Sequence, residues 1–330
     1  MNGMEKKDKR RIEGIQSLRG LAALFVMMYH IKILAEKNGI QSPLINNAIF
    51  GHMYYGVDIF FVISGFIMAN SLSYHQISAF RFIKNRLIRI VPLYWCLSLL
   101  FFFATILSSE SLEIDSFTYT DLIHTLTFTA TILMNEVPII DQGWSLEYEM
   151  VFYLLIGICL FFVKGIYAIY FAIFFLICLF CLGLDQIVLE FAYGVIIYFI
   201  VSKLKLNISL LRLAALVGAI LFLIVSMFNI GNEYRIFYYG VPAALVVLGA
   251  TSAILQTSRK LSLLGDISYS LYLSQSFFLY WLVKLSTEFA NNYFQVIFLL
   301  IFTPLAGILL AYFVYTYLEK PLIRGIKSIL

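Results

Sequence analysis

Apolar runs of about the length needed to cross a bilayer alternate with short polar segments along the whole chain. A transmembrane helix needs roughly 17 to 25 mostly apolar residues, so each run of that length is a candidate span. Ten runs meet this requirement: 18–35, 55–73, 88–107, 144–163, 166–183, 186–202, 208–228, 236–255, 267–285 and 293–317. The pattern predicts an all-α, polytopic membrane protein with about ten transmembrane helices.

The composition favours the same fold class. The chain has 330 residues, 62% hydrophobic and only 13% charged, whereas soluble domains carry about 25% charged residues. No linker or long hydrophilic block divides it, which predicts a single transmembrane domain over 1–330 without a soluble C-terminal domain. The cysteines fall in apolar segments and lack metal-ligand spacing, so we expect no metal site.

The distribution of lysine and arginine predicts the orientation of the chain. With a cytoplasmic N-terminus, 19 of the 23 basic residues, Lys205 among them, fall on the cytoplasmic side. The four on the other side are Lys32, Lys37, Arg235 and Lys284. We therefore expect a multi-pass protein of the plasma (inner) membrane with both termini cytoplasmic. The net charge is only +4 and scattered, so membrane lipids are expected partners and nucleic acid is not.

Ionisable residues inside predicted spans are candidate functional groups because a bilayer makes them costly unless they have partners. In the first span, Arg19 and His30 are eleven residues apart, which places them on nearly the same helix face about 16 Å apart. Arg19 is expected near the cytoplasmic boundary and His30 beyond the midplane. His30 facing a cavity could act as a general base toward a hydroxyl. The alternative is a hydrogen-bonded histidine between helices.

Four basic residues crowd the cytoplasmic approach to the third span, in "RFIKNRLIRIVPLYW". Arg86 and Arg89 are three residues apart and share a helix face, which suits them to grip a phosphate or another anion by forked hydrogen bonds. The alternative is ordinary cytoplasmic charge that contacts lipid headgroups. Arginine, where lysine would satisfy the topology equally well, favours the ligand role.

Two glutamates open the fourth span, in "GWSLEYEMVFY". Glu147 and Glu149 point to different faces of a helix, so we expect only one of them to enter the core. A carboxylate beside His30 would orient the imidazole and stabilise its protonated form. The alternative places both glutamates at the water interface, above all Glu147.

The second span, "YYGVDIFFVISGFIMAN", carries Asp58 at its predicted outer end and Ser64 and Gly65 nearer its middle. Small residues allow helices to approach closely, and packing is the favoured interpretation of Gly65. The chain has no P-loop, GxSxG, HExxH or dinucleotide fingerprint that would indicate a competing chemistry.

These segments, in order, resemble the acyltransferase-3 family of membrane acyltransferases. "GIQSLRGLAALFVMMYH" is similar to the family's opening helix, with Arg19 and His30 at its arginine and histidine. "GVDIFFVISGFIM", "RFIKNRLIRIVPLYW" and "WSLEYEMVFY" are similar to the next three elements, and the last puts the family's glutamate at Glu149 and its tryptophan at Trp144. "LLGDISYSLYLSQSFFLY" and "YLEKPLIR" resemble the closing elements. Many members carry a histidine where this chain has Gln275, so a proton-transfer role at that position is not expected here.

The resemblance implies transfer of an acyl group, most simply acetyl, from cytoplasmic acetyl-CoA as co-substrate to a hydroxyl of a cell-surface carbohydrate or lipid-linked sugar, such as O-antigen or exopolysaccharide. It implies catalytic roles for His30, Glu149 and Arg19, donor binding by Arg86 and Arg89, and supporting roles for Asp58, Ser64 and Trp144. In this mechanism His30, oriented by Glu149, deprotonates the acceptor, and Ser64 supports the oxyanion. An acyl-histidine relay is the mechanistic variant.

A transporter or flippase of a lipid-linked sugar is the alternative function, with His30 and Glu149 as proton relay or headgroup ligands. Transporters often contain internal repeats, and the two halves of this sequence do not resemble each other. This difference favours the enzyme. Consumption of acetyl-CoA would distinguish the two, because a flippase needs none.

Overall fold

The computed structural model describes residues 3–40, 42–45, 47–74, 76–108, 117–204, 206–228, 232–252, 259–289 and 292–329. Lys205 of the topology prediction and the end of the eighth predicted span, 253–255, lie outside these residues. Within them the chain is helical and contains no strand. The α-helices are α1 (Gly3–Lys37), α2 (Ala48–His52), α3 (Gly56–Tyr74), α4 (Ala79–Ser108), α5 (Tyr119–Thr127), α6 (Ala130–Met134), α7 (Gly143–Phe162), α8 (Ile166–Cys181), α9 (Glu190–Lys203), α10 (Ile208–Phe228), α11 (Val241–Ala250), α12 (Arg259–Asp266), α13 (Ser268–Ser286), α14 (Asn292–Ile297), α15 (Thr303–Val314) and α16 (Lys320–Ile329).

Seven helical stretches in the described residues are long and apolar enough to cross a membrane. They are Glu13–Lys37, Ala48–Tyr74, Ala79–Leu107, Gly143–Phe162, Gln186–Lys203, Ile208–Phe228 and Tyr293–Ile329. Two more apolar helices, Ile166–Cys181 and Ile236–Ala250, are shorter, and α13 is helical but rich in serine. The all-helical fold class is confirmed, whereas the number of ten spans stays a prediction.

Glycines allow α3 and α9 to cross in direct backbone contact. A Cβ atom on Gly65 would lie 2.1 Å from the carbonyl oxygen of Phe191, and one on Gly194 would lie 2.0 Å from that of Val62. No larger side chain fits at such distances. The packing role expected for Gly65 is therefore the one that the structure shows, and it brings the middle of α3 close to the centre of the bundle.

Helix α1 is held against the end of α12 by polar as well as close backbone contacts. Gln16 Nε2 donates to Asp266 Oδ1 at 2.8 Å, and a Cβ atom on Gly265 would lie 2.0 Å from the carbonyl oxygen of Gln16. These contacts lie one turn from Arg19 and fix the part of α1 that carries it.

Glu147 does not have the water-interface position that the alternative interpretation of the sequence gave it. It is fully buried rather than at a water interface, and its carboxylate accepts hydrogen bonds of 3.0 to 3.1 Å from the backbone N–H groups of Thr131 and Ile132. These N–H groups belong to the first turn of α6 and have no partner within that helix. Glu147 thus tolerates burial because it satisfies a helix terminus, and it joins α6 to α7.

Candidate functional site

A cavity of about 160 Å³ lies between α1, α3, α4, α7 and α13. Its wall contains three arginines, one glutamate and several hydroxyl groups among apolar side chains. The polar lining residues are Arg19, Ser64, Arg86, Arg89, Ser145, Glu149, Tyr153, Ser268, Tyr269 and Tyr272. Five of the site residues predicted from the sequence therefore line one cavity. They are Arg19 of α1, Ser64 of α3, Arg86 and Arg89 of α4, and Glu149 of α7.

The three cavity arginines differ in how far protein groups already satisfy them. Arg89 Nη1 donates to Glu319 Oε1 in a close ion pair with a carboxylate that is almost completely buried. Arg19 donates one long hydrogen bond, 3.4 Å, to Gln16. Arg86 makes no hydrogen bond within the described residues, and its buried Nε has no partner. Arg86 is thus the cavity arginine with most unused donor capacity.

Two aromatic rings pack against the Arg86 guanidinium. Its central carbon lies 6.0 Å from the ring centroid of Phe82 and 5.8 Å from that of Tyr153. A guanidinium placed over aromatic faces keeps its N–H groups free for a planar anion while the rings limit its motion. The contacts orient Arg86 without using its donors.

Glu149 accepts two hydrogen bonds in the cavity wall. Ser64 Oγ donates to Glu149 Oε1 at 2.8 Å, and Tyr153 Oη donates to the same oxygen at 2.5 Å. The single hydroxyl hydrogen of Ser64 is therefore directed at the carboxylate. This geometry does not provide the oxyanion donor expected at Ser64, whose role in the structure is to hold Glu149.

His30 lies beyond the cavity wall and has partners other than the one expected. Its Nδ1 is 2.8 Å from the carbonyl oxygen of Val26, and its Nε2 is 3.2 Å from Gln142 Nε2 and 3.4 Å from Asp141 Oδ2. Glu149 is not among its hydrogen-bond partners within the described residues. His30 contacts Asp141 and Gln142, just before α7. Glu149 follows Gln142 by seven residues, which is about 10 Å along the helix axis. The expected His30–Glu149 pair is thus corrected to His30 with Gln142 and Asp141.

Two hydroxyl groups connect the cavity to Gln142. Ser145 Oγ and Tyr272 Oη are 2.7 Å apart, and both lie within hydrogen-bond distance of the Gln142 carbonyl oxygen, at 3.1 and 3.3 Å. Ser145 and Tyr272 also line the cavity. The arginine-lined space and the imidazole of His30 are therefore separated by one layer of hydrogen-bonded side chains.

Asp58 and Trp144 lie outside the cavity lining. Asp58 is fully buried, and both of its oxygens bind Arg235, at 3.0 Å to Nε and 2.7 Å to Nη2. Trp144 packs against the core cluster that surrounds α7, and its ring lies at 78° to that of Tyr148 with the centroids 6.1 Å apart. The ion-pair partner of Asp58 is thus Arg235, which was also predicted from the sequence to lie on the outer side. The structure does not bring either Asp58 or Trp144 to the cavity.

Several site residues were not singled out from the sequence. Glu319 lies in an apolar C-terminal stretch, where a buried acid is itself a signal of a cationic partner. Tyr153 follows Glu149 by four residues, which is helix-face spacing. Gln142 carries no comparable signal in one sequence. Gln275 is fully buried, and its side-chain amide donates to the backbone carbonyl oxygen of Tyr272 in its own helix at 3.0 Å. Among the described residues, His30 is not one of its hydrogen-bond partners.

The cavity attracts anions. Arg19, Arg86 and Arg89 face one carboxylate of the lining, Glu149, and Glu319 outside the lining pairs with Arg89. With all these groups charged, the site keeps one uncompensated positive charge in a low-dielectric surrounding, where charge interactions are stronger than in water. A carboxylate, a phosphate or a developing oxyanion would be stabilised there.

Comparison with known proteins identifies the family to which this arrangement belongs. Residues 12–316 match the acyltransferase-3 family model, described as an acyltransferase domain. The chain belongs to the acyltransferase-3 family. The exopolysaccharide production protein ExoZ of Rhizobium meliloti (strain 1021) is 28% identical to it over 305 residues, which cover 82% of this chain and 89% of the relative. No solved structure matches the chain. The predicted resemblance is confirmed, and the chain is a membrane acyltransferase by family.

Proposed function

We propose that this acyltransferase moves an acyl group, most simply acetyl, from cytoplasmic acyl-CoA to a hydroxyl of a cell-surface carbohydrate of the exopolysaccharide type. The observation that carries the proposal is one cavity lined by Arg19, Arg86, Arg89 and Glu149, with His30 one hydrogen-bonded layer away. The relative named for exopolysaccharide production supports the choice of acceptor.

Arginine donors in the cavity suit the anionic part of an acyl-CoA. Arg86 has free N–H groups and an orientation set by aromatic rings, and Arg19 has a single long hydrogen bond. Forked contacts from guanidinium to phosphate are short and charge-assisted. Arg86 would therefore contribute most of the binding of the acyl-CoA phosphates. Arg89, already paired with Glu319, would contribute less.

The membrane orientation expected from the basic residues gives the reaction a direction. The Arg19 end of α1 would face the cytoplasm and the His30 end the outside, in a plasma membrane protein with both termini cytoplasmic. The helix rise separates these residues by about 16 Å, which an extended pantetheine arm spans. Donor and acceptor would then approach the same layer of side chains from opposite sides.

The chemical step follows from these positions. His30 Nε2 accepts the proton of the acceptor hydroxyl as its oxygen attacks the thioester carbon. A carbon–oxygen bond forms, the carbon–sulfur bond breaks, and the CoA thiolate takes the proton from His30. The products are the ester and free CoA, and the protein returns to its starting state.

The test is transfer of labelled acetyl from acetyl-CoA to glycan in membranes that contain the protein. Wild type, His30→Ala and His124→Ala are compared at matched abundance, since His124 lies on α5 and bonds Thr129 rather than cavity residues. We expect label in glycan with wild type and His124→Ala and its loss with His30→Ala. If no membrane sample transfers label to glycan, the proposed acyl donor or acceptor is wrong and the flippase is favoured. If His30→Ala transfers as much label as wild type, His30 has no part in the chemical step.

A further inference from the structure

The side chain of Gln142 lies between His30 and Ser276. Gln142 Nε2 is 3.2 Å from His30 Nε2, and Ser276 Oγ donates to Gln142 Oε1 at 2.5 Å. Gln142 is only 2% exposed, so water does not compete freely for these bonds. A continuous chain of hydrogen bonds thus runs from α13 through Gln142 to α1.

The Val26 carbonyl fixes which nitrogen of the neutral His30 ring carries the proton. Nδ1 faces the carbonyl oxygen of Val26, which can only accept, so Nδ1 must donate. In a neutral ring Nε2 is then an acceptor, and the Gln142 amide must present its N–H to it. The amide oxygen is left for Ser276, whose hydroxyl can donate. Every group has one consistent role.

We infer that Gln142 is a positioning residue, whose amide N–H fixes the Nε2 lone pair of His30 for proton uptake while the Val26 carbonyl holds the ring in the Nδ1–H form. An acceptor hydroxyl would replace the Gln142 N–H as the donor to this nitrogen. The inference deepens the proposed function and rests on it for the role of His30 as base. It replaces Glu149 in the orienting role, because Glu149 is held by Ser64 and Tyr153.

Asp141 completes the arrangement after proton transfer. Once Nε2 carries a proton it can no longer accept from the Gln142 amide, and Asp141 Oδ2, 3.4 Å away, becomes its acceptor. Neighbouring residues therefore serve the two protonation states: Gln142 favours the neutral ring and Asp141 the charged one. Asp141 is exposed, with a side-chain accessibility of 58%, so its contribution is reduced by solvent.

The tautomer can be measured without any activity. The full-length protein, labelled with ¹⁵N-histidine in lipid bilayers, is examined by solid-state NMR, and the His30 signals are assigned by their loss in His30→Gln. With its ring neutral, wild type is expected to show a protonated Nδ1 and a bare Nε2 that accepts a hydrogen bond. Gln142→Ala is expected to keep the proton on Nδ1 but to shift the ¹⁵N signal of Nε2, because that nitrogen loses its donor, and Asp141→Asn is expected to leave the wild-type pattern. A protonated Nε2 in the neutral ring of wild type, or an unchanged Nε2 signal in Gln142→Ala, overturns the inference.

Kinetics provides the second readout. Gln142→Ala is expected to lower kcat by up to about 10²-fold, the lower end of what general acid–base catalysis contributes, without raising the KM for acetyl-CoA. Gln142→Glu, which can only accept and so favours a proton on Nε2, is expected to lower kcat further. Gln295→Ala, which removes a glutamine bonded to the Ser286 carbonyl, is the control and should match wild type.

The two readouts separate the inference from the proposed function. If the NMR pattern follows Gln142 but wild type transfers no acetyl, the positioning contact stands and the proposed function fails. If wild type transfers acetyl and kcat does not depend on Gln142, the inference fails alone. A rise in KM with unchanged kcat in Gln142→Ala also contradicts it, because a donor-binding role would then replace the positioning role.

Discussion

Ser64 Oγ donates a 2.8 Å hydrogen bond to Glu149 Oε1 and thereby ties α3 to α7 at the cavity wall. Gly65, the next residue, allows α9 to approach the other side of α3. The "SG" pair in the second span thus serves two purposes on adjacent helix positions. One residue holds the cavity carboxylate and the other sets the helix crossing that places it there.

Replacing Ser64 with alanine should destabilise the protein. Glu149 would keep Tyr153 as its remaining donor, and loss of a hydrogen bond to a charged group costs about 1.5 to 3 kcal/mol. The measurement is the free energy of unfolding in mixed micelles. Ser73→Ala is the matched control on the same helix, because Ser73 bonds only the carbonyl of Ala69 in its own turn. Equal losses in the two variants would show that the Ser64 bond has no special weight.

Replacing Arg86 with lysine should weaken donor binding more than folding. Lysine keeps the charge but loses the planar fork and its stacking on Phe82 and Tyr153. We expect the KM for acetyl-CoA to rise about tenfold, equivalent to about 1.4 kcal/mol, with kcat and abundance retained. Arg81→Lys, an exposed position on α4 outside the cavity lining, should leave KM unchanged. Normal transfer at limiting acetyl-CoA in Arg86→Lys would contradict the role of Arg86 in binding acetyl-CoA.

The Arg89–Glu319 ion pair should show strong energetic coupling. Glu319 is 1% exposed and also accepts from Ser270 at 2.6 Å, so removal of Arg89 leaves a buried carboxylate without its cationic partner. A double-mutant cycle with Arg89→Gln and Glu319→Gln should give a coupling free energy above about 1 kcal/mol. The Lys32–Glu36 pair on α1, whose carboxylate is 39% exposed, should give less than about 0.5 kcal/mol. Additive losses at Arg89 and Glu319 would mean that the pair is structurally incidental.

The apolar runs were sufficient to predict the all-helical class, because each of the ten is mostly helical in the residues that the structure describes. The number of ten spans stays a prediction, and the lengths of two runs differ from those of their helices. Helices α8 and α11 end earlier than their apolar runs, where Gly183 with φ +106° follows the first and a turn at Thr251 follows the second. Apolar composition continues through such turns, so a run of hydrophobic residues overstates helix length.

The site was predictable in its components and only partly in its geometry. Arg19, Arg86, Arg89, Ser64 and Glu149 meet at one cavity, as polar groups in apolar helices must find partners or line a space. The partner of His30 was not predictable, because it depends on where α7 begins relative to α1. A shift of two turns separates Gln142 from Glu149, and one sequence contains no measure of that offset.

Gly65→Ala should disrupt the crossing of α3 and α9. The added Cβ would lie 2.1 Å from the Phe191 carbonyl oxygen, a backbone atom that cannot move without its helix. Overpacking of this kind costs about 1 to 3 kcal/mol, and displacement of α3 should also carry Ser64 away from Glu149 and lower acyl transfer. Thermal unfolding and labelled-acetyl transfer are measured together. Gly325→Ala on α16, with no atom within 4 Å of its added Cβ, should be neutral or slightly stabilising, since alanine favours helix by about 1 kcal/mol. A stable, fully active Gly65→Ala protein would contradict the close crossing.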